Sequence, residues 1–352
     1  MPGREFLNSQ SAEWPDLNRQ YAALGMGPAI VDRSYRGTLE ITGANRSVWL
    51  HNLLTNHVRT LNTGQGNYAF ALNVRGRILF DLNIFARPES LWVELDRRFA
   101  ELAKGHFAKY TITEDVRLTD LSDQHVHIGL AGENAVRLLG EMGAGHAGTM
   151  TLLQLSNITW SDLGSPMTVA RTDFCGPKAW ELFVGASDAE KVWRWLTNES
   201  RRAPAVPAST GAVEVRRIEA GIPWPGFEIT DEYLPAETRQ LERAVSFTKG
   251  CYLGQEVVER MRSRDVVARL LVGLQIEGTV IPPRESPVLD SDGKTVGKLT
   301  STCHSLAKGS VIGLGYVKTA VSDPGRRLRL SWSGGQTSAT VVALPFVLAP
   351  GH

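Results

Sequence analysis

Short runs of alternating apolar and polar residues occur repeatedly in the first hundred positions of the chain. Residues 37–43 alternate in this way between two glycines, which is the pattern of a half-buried strand. Strands are also predicted at 64–73 and 77–85, and the turn sequence between them predicts a β-hairpin. Residues 44–54 instead carry apolar side chains at helical spacing and predict a short helix. The region therefore mixes helices and strands.

The same mixture is predicted to continue until about residue 210. The first 20 residues are polar and predict an extended arm or a fraying helix, and 29–34 predicts a short strand entering a turn. Further helices are predicted at 98–109, 133–141 and 188–196, strands at 91–95, 111–121, 125–132, 151–160 and 167–172, and a loop at 204–209.

The pattern changes after residue 264. Residues 266–276 form a run rich in β-branched side chains, and turn signals containing glycine or proline then recur at short intervals. Short strands at such spacing are typical of a small all-β barrel or sandwich. The C-terminal part of the chain is therefore predicted to be a β-barrel.

Length and charge limit the classes of function. A chain of 352 residues is too long for one ordinary core and suggests two or three domains. Lysine and arginine total 38 against 37 acidic residues, so the net charge is +1. Such a balance gives no support to a protein that coats nucleic acid or a membrane surface. An anionic ligand would need a local basic patch.

Cysteine and histidine spacing does not predict a metal site. Cys175, Cys251 and Cys303 are far apart and form no Cys-x-x-Cys pair, which argues against a disulfide framework, a structural zinc site or a resident iron–sulfur cluster. His125 and His127 would share one face of a strand, but no third ligand is close in sequence. We therefore predict that they are strand-surface histidines and that the chain holds no metal.

The chain shows no predicted membrane segment. No apolar run approaches the roughly 20 residues that a spanning helix needs, and the first 15 residues lack the apolar core of a secretory signal. The expected location is the cytoplasm.

The segment 249–256, Lys-Gly-Cys-Tyr-Leu-Gly-Gln-Glu, is the most unusual stretch of the sequence. Its two glycines predict a tight backbone that approaches other groups closely. Cys251 lies two residues from Lys249, whose ammonium could lower the thiol pKa and favour the thiolate. The alternative is a turn with a small, partly buried cysteine.

This segment, together with 244–248 before it and 257–260 after it, resembles the signature of the YgfZ family. The family comprises folate-binding relatives of the glycine cleavage T-protein that are implicated in making or maintaining iron–sulfur proteins. The resemblance runs from about residue 25 to 345. It implies an α+β fold of three domains around a central hole that admits tetrahydrofolate or a one-carbon derivative, with a C-terminal β-barrel. The implied boundaries are 1–24 for an N-terminal arm, 25–122, 123–262 and 263–352 for the barrel.

The resemblance also implies which residues contact folate. Residues 217–221 resemble an Arg-x-Glu-Ala-Gly element whose glutamate binds the pterin, which assigns Glu219 and its neighbour Arg217 to the folate site. A carboxylate can accept hydrogen bonds from the ring N–H and the exocyclic amine of a pterin together. The alternative is that Glu219 only pairs with Arg216 or Arg217 at a helix end. Glu181 is placed near the folate by its resemblance to a second T-protein hairpin.

Asp81 is the implied catalytic acid on the second strand of the predicted hairpin. T-proteins usually have two adjacent acids at this place, whereas this chain has Phe80 followed by Asp81. The missing acid weakens the expectation of aminomethyl transfer, and Asp81 could also be a simple strand-end acid.

By the same resemblance, Cys251 is the reactive thiol, Lys249 supports its thiolate, and Tyr252 and Gln255 lie at the folate. The thiol could form a one-carbon adduct, carry a transient persulfide or bind a transferred cluster. The leading hypothesis is a monomeric, tetrahydrofolate-binding protein that supports iron–sulfur assembly or repair and contacts client or carrier proteins, but neither nucleic acid nor membrane. The alternatives are a folate-dependent aminomethyl or methyl transferase of the T-protein type, and a scaffold that uses folate only for stability.

Overall fold

The computed structural model describes residues 16–198, 203–264 and 267–347. The chain divides into two compact units, called the first unit and the second unit below. The predicted division into three domains stays a prediction, and the part of the predicted arm before residue 16 lies outside the described residues. The first unit comprises the chain up to Ala71, Phe80–Val213 and Ser246–Tyr252, and the second comprises Leu72–Leu79, Glu214–Val245 and the chain from Leu253.

A six-stranded sheet forms one part of the first unit. Its central strands are almost fully buried, and its core includes Ile128, Leu182 and Trp180. All neighbouring strands are antiparallel except β1 (Ala29–Asp32) and β11 (Val206–Ala208), which run parallel. In spatial order the strands are β11 (Val206–Ala208), β1 (Ala29–Asp32), β7 (His125–Ala131), β10 (Ala179–Gly185), β9 (Met167–Thr172) and β8 (Leu155–Ile158).

A five-stranded sheet contains the predicted hairpin. Asn73 and Arg77 close its turn through a backbone hydrogen bond of 3.0 Å, and Gly76 has φ +72°, which glycine adopts at little cost. The tip of this hairpin belongs to the second unit. In spatial order the strands are β3 (Gly66–Leu72), β4 (Ile78–Ala86), β5 (Leu91–Asp96), β2 (Arg36–Thr42) and β6 (Arg117–Asp120).

The helices are short and pack one apolar face on the sheets. Helix Ala189–Thr197 is representative, because Val192, Trp193 and Leu196 recur at helical spacing and are buried in the core. No helix in the described ranges is long and apolar enough to span a membrane. The other α-helices are Leu17–Gly25, Arg46–Leu53, Ala100–Ala108, Ala135–Glu141, Thr210–Glu219, Leu241–Ala244 and Gln255–Arg264.

The predicted C-terminal barrel is confirmed as a closed six-stranded barrel in the second unit. Its interior is filled by β-branched and leucine side chains such as Val272, Leu274 and Leu330. Gly313 is required because an added Cβ would lie 2.7 Å from the Ser301 carbonyl oxygen of the adjacent strand. Around the barrel the strands are β12 (Arg269–Ile276), β15 (Ser310–Lys318), β14 (Thr295–Ser305), β13 (Pro287–Leu289), β16 (Arg327–Trp332) and β17 (Gly335–Val342).

Two predicted strands are longer than those in the structure, and one predicted loop is wrong. The strand predicted at 111–121 is confined to β6, and the strand predicted at 151–160 is confined to β8. The loop predicted at 204–209 contains β11, in which Pro207 is tolerated because β11 is an edge strand.

Candidate functional site

Six ionisable side chains meet in the buried interior of the first unit, and we call them the charge cluster. They come from six neighbouring segments of the two sheets, which explains why residues far apart in sequence converge. Each has a relative exposure of 7% or less. The members are Arg33, Arg36, Asp81, Glu94, His127 and Glu181.

Each carboxylate oxygen of Glu181 contacts a basic side chain. Arg33 Nε donates to Oε2 at 3.0 Å, and His127 Nδ1 lies 2.7 Å from Oε1. The other ring nitrogen of His127 lies 3.0 Å from the Thr38 hydroxyl. Burial by itself raises the pKa of Glu181, but the Arg33 guanidinium and the His127 hydrogen bond outweigh it and lower the pKa below the usual range. Glu181 is therefore a fixed carboxylate.

Glu94 is paired in a similar way with Arg36. The Arg36 Nε contacts Oε1, and its Nη2 donates to Oε2 at 2.9 Å, which makes the pair bidentate. Asn83 Nδ2 donates to the same Oε2 at 2.7 Å. These contacts orient the amide of Asn83, so that its Oδ1 points away from Glu94.

Asp81 differs from the two glutamates because one of its oxygens is open. The Tyr68 hydroxyl donates to Oδ2 at 2.9 Å, whereas Oδ1 is buried and has no hydrogen-bond partner among the described residues. Burial raises the pKa of Asp81, and the nearby Arg36 only partly offsets this. Asn83 Oδ1 is likewise buried and unpartnered in the described chain. Because residues i and i+2 of a strand share a face, the two open acceptors belong to side chains on the same face of β4.

Phe80 faces the opposite side of β4. Its ring contacts Phe107 and His106 edge-on, and it is fully buried in apolar surroundings. The aromatic residue that replaces one of the two adjacent acids of T-proteins is therefore a core residue, and Asp81 is the acid that faces the charge cluster.

The charge cluster includes one set of ligand types that could in principle bind a metal ion. Oxygen or nitrogen atoms of Glu94, His127 and Glu181 lie within 4.8 Å of one another. Both carboxylates, however, are already paired with an arginine. A divalent cation would have to displace two guanidinium groups, so the donor set does not fit a metal. The prediction that His125 and His127 are surface residues is wrong, since His127 is fully buried and His125 is half-buried.

Arg217 lies in a second buried cluster, in the second unit. Its Nη1 donates to Glu228 at 3.0 Å, and its Nη2 donates to Glu214 and to the Ser301 hydroxyl, both at 2.6 Å. The side chain is fully buried, and of its donors Nε is without a partner in the described chain. Arg217 thus joins a helix, a loop and a barrel strand of the same unit.

Glu219 is fastened to the barrel as well. Its Oε1 accepts hydrogen bonds from the Ser305 hydroxyl at 2.6 Å and from the Ala307 backbone N–H at 3.1 Å. It is 2% exposed. Arg217, one of the two arginines in the alternative pairing of Glu219, pairs instead with Glu214 and Glu228. The predicted contacts of Glu219 and Arg217 with folate stay predictions.

The two glycines of the segment 249–256 play different parts. Gly254 has φ +81°, and an added Cβ would lie 2.7 Å from the Asn73 carbonyl oxygen, as expected for a tight backbone. Gly250 does not fit that expectation, since its φ is not in the left-handed region and no described atom lies within 4 Å of an added Cβ. Cys251 beside it is exposed.

Lys249 is buried, with 7% exposure, although it lies two residues from an exposed cysteine. Its Nζ donates to the carbonyl oxygens of His51, Leu54 and Asn56, the last at 3.0 Å. Burial lowers the pKa of Lys249 to about 7. The three N–H donors of its ammonium are thus directed at carbonyls, and the predicted support of a thiolate stays a prediction.

The remaining residues of this segment and the other cysteines are mostly buried. Tyr252 is 7% exposed, and the centre of its ring lies 5.1 Å from Lys249 Nζ. Gln255 begins a helix of the second unit. Their predicted contacts with folate are untested. Cys175 and Cys303 are buried, as expected for packed side chains, and burial raises the pKa of Cys303 to about 12. Cys251 is therefore the accessible thiol of the three.

Sequence reasoning missed four members of the charge cluster: Arg33, Arg36, Glu94 and His127. A signal was present for one of them, because Glu94 lies between Val93 and Leu95 in a mainly apolar strand that is buried on both faces. The same signal marks Asn83 within β4. A charged or amide residue in such a strand must find a partner inside the protein, which makes it a candidate for a site.

A mixed α/β unit with two sheets and a separate closed six-stranded barrel define the T-protein class of fold. The sequence agrees with this class along most of its length: residues 4–249 match the GCVT N-terminal domain, and residues 269–347 match the glycine cleavage T-protein C-terminal barrel domain. The chain belongs to the glycine cleavage T-protein family, and tetrahydrofolate is accordingly the cofactor expected for it.

Individual relatives agree with this assignment. The chain is 27% identical to an aminomethyltransferase of Streptomyces avermitilis, covering 93% of this chain and 88% of the relative. It is 29% identical to an aminomethyltransferase of Rubrobacter xylanophilus, covering 87% and 80%. The crystal structure of glycine cleavage system aminomethyltransferase T from Bartonella henselae superposes with a TM-score of 0.80 at 19% identity, covering 95% of this chain and 90% of that one, which shows a shared fold.

Proposed function

We propose that this protein binds tetrahydrofolate and acts as a folate-dependent one-carbon transferase of the aminomethyltransferase type. Family membership and the similarity to aminomethyltransferases support this class of reaction. The observation that carries the proposal is the pair of open, buried acceptors on β4, Asp81 Oδ1 and Asn83 Oδ1.

A pterin carries hydrogen-bond donors of the kind that these two acceptors lack within the described chain. A 2-amino-4-oxo pterin offers a ring N–H and an exocyclic amine side by side, and buried acceptors without partners are costly unless a ligand satisfies them. When bound, tetrahydrofolate supplies the nitrogen that carries the one-carbon unit. Asp81 would hold or release a proton at Oδ1, and burial raises the pKa of this carboxyl above its ordinary value. Arg36 and Glu94 would keep Asn83 oriented.

The single acid at this place is compatible with the proposal. Phe80 occupies the core side of β4, so its substitution for an acid removes no carboxylate from the charge cluster. The Glu181 carboxylate accepts from Arg33, whose guanidinium lies 4.2 Å from the centre of the Phe174 ring, and its contact with the cofactor is part of this proposal.

Anaerobic calorimetric titration of tetrahydrofolate tests this proposal. Asp81→Asn keeps the size of the side chain and removes its charge, so the affinity should fall by about 1.5–3 kcal/mol, the usual contribution of hydrogen bonds to a charged group. Asp162→Asn is the matched control, because Asp162 is exposed. Failure of the wild-type protein to bind would refute folate binding, and an unchanged affinity of Asp81→Asn would refute the role of Asp81.

A second candidate function is support of iron–sulfur cluster assembly or repair, in contact with client or carrier proteins. The exposure of Cys251, in a segment that resembles the YgfZ signature, favours it. Cys251→Ala should then abolish the activity of iron–sulfur enzymes in cells that depend on this protein while leaving folate affinity intact. Cys175→Ala is the matched control. Full iron–sulfur enzyme activity with Cys251→Ala would exclude a role of this thiol in cluster assembly. The remaining functions would then be the transferase and a scaffold that uses folate only for stability.

A further inference from the structure

Three carbonyl groups, one in the last turn of helix Arg46–Leu53 and two in the residues just after it, form a small acceptor site. The last carbonyls of a helix have no partner within it and carry the negative end of its dipole. The carbonyl oxygens of His51, Leu54 and Asn56 all point at one atom, Lys249 Nζ, which comes from a segment almost 200 residues later in the sequence. A lysine ammonium has three N–H donors, so each carbonyl receives one.

Other contacts run along the same two segments of the first unit. The Ser246 backbone N–H donates to the Thr55 carbonyl oxygen at 3.0 Å, three residues before Lys249. The Thr248 hydroxyl lies 3.4 Å from His57 Nε2. Residues 246–252, which we call the cysteine loop, therefore lie along residues 51–57, and Lys249 makes the most buried of these contacts.

Lys249 and Cys251 have opposite environments within the cysteine loop. Lys249 is buried and its donors are used, whereas Cys251 is exposed and Gly250 between them has open space around it. A lysine that served the thiol directly would offer it an N–H donor, but all three donors are directed at backbone carbonyls.

We propose that Lys249 is the positioning residue of the cysteine loop: it clasps the loop to the end of helix Arg46–Leu53 and so holds Cys251 outward, without activating the thiol. The clasp is independent of what the thiol does. Its importance for function rests on the role of Cys251 proposed above.

Hydrogen exchange and thiol titration distinguish a clasp from an activator. Lys249→Met keeps most of the unbranched apolar stem of the side chain and removes all three donors. Amide exchange in residues 246–252 should rise by at least about tenfold, because the loop opens more often, while exchange in β12 of the second unit stays unchanged as an internal reference. The rate of Cys251 alkylation should keep the same pH profile. Unchanged exchange together with a pH profile shifted upward would overturn the proposal.

A measurement on the wild-type protein covers the case in which Lys249→Met fails to fold. A buried ammonium with three carbonyl acceptors exchanges its protons slowly, so ¹⁵N-lysine labelling at mildly acidic pH should give one sharp, protected ammonium signal. Lys249→Arg assigns that signal by removing it. Absence of a protected signal in the wild-type protein would contradict the clasp. Neither readout requires folate or a cluster, so failure of the clasp and failure of the proposed function can be told apart.

Discussion

The two buried clusters of acids and arginines in this protein differ in whether their acceptor oxygens all have hydrogen-bond partners within the described chain. In the second unit, Arg217 reaches two glutamates and a serine, and Glu219 accepts two hydrogen bonds from the barrel. In the charge cluster of the first unit, Asp81 and Asn83 each keep a buried oxygen with no partner in the described chain. A cluster whose carboxylates are satisfied within the protein stabilises the fold, whereas open acceptors favour the arrival of a ligand.

This difference changes the weight of the residues that the sequence singled out. Glu219 and Arg217 lie in a strong sequence element, and Asp81 lies in a weaker one. The contacts nevertheless give the first pair a structural task and leave Asp81 with free hydrogen-bonding capacity. A motif can therefore mark either the fold or the site, and the partners of each atom decide between them.

The largest expected effect on stability comes from removing the Arg217 guanidinium from the buried cluster of the second unit. Arg217→Met leaves Glu228 buried without its counter-charge, so the free energy of unfolding should fall by about 3–5 kcal/mol. Urea unfolding measures it. Arg326→Met, at an exposed position, is the control and should stay within about 0.5 kcal/mol of the wild type. A small effect of Arg217→Met would mean that the second cluster does not hold the fold.

Glu219→Gln is expected to have a smaller effect. The amide oxygen can still accept from Ser305 and Ala307, but the bonds lose the assistance of the charge, so the protein should be destabilised by about 1–2 kcal/mol. The affinity of the folded protein for tetrahydrofolate should not change. If titration shows that the affinity falls, Glu219 contacts the pterin as the sequence suggested, and the contrast between the clusters fails.

The smallest effect is a pH dependence that Asp81 adds to stability. Burial raises its pKa above the ordinary 3.8, so the folded state keeps a proton that the unfolded state releases. The stabilisation from protonated Asp81 is fully present below the ordinary value and is lost as the pH rises through the raised pKa. Asp81→Asn lacks this loss. Its free energy of unfolding, relative to that of the wild type, should therefore increase with increasing pH. Urea unfolding between pH 4 and 8 measures this difference. If the wild type and Asp81→Asn show the same pH dependence, ionisation of Asp81 does not destabilise the folded protein.

Local patterns were sufficient for much of the fold. The hairpin of β3 and β4 follows from alternation on both sides of a glycine turn, and the barrel follows from short strands separated by regular turn signals. Both depend on neighbours in the sequence. Strand β11 was not predicted because Pro207 is a poor strand former. The position of β11 at the edge of a sheet, where a proline is tolerated, is a property of the assembled structure.

The site was less predictable for the same reason. Arg33 and Glu181 are separated by 148 positions, and Lys249 and His51 by 198, so no local pattern links either pair. The spacing of Lys249 and Cys251 suggested an interaction that the fold directs elsewhere. Their identities were visible in the sequence, but their partners were not.

The parallel pairing of β1 with β11 has a consequence for synthesis on the ribosome. Val31 precedes its partner Ala208 by 177 positions (208 − 31), while the other side of β1 pairs with β7. At about 5–20 residues per second, roughly 10–35 seconds separate the emergence of these two partners. One edge of β1 therefore lacks its native partner during that interval, and the six-stranded sheet is completed only after more than half of the chain has been made.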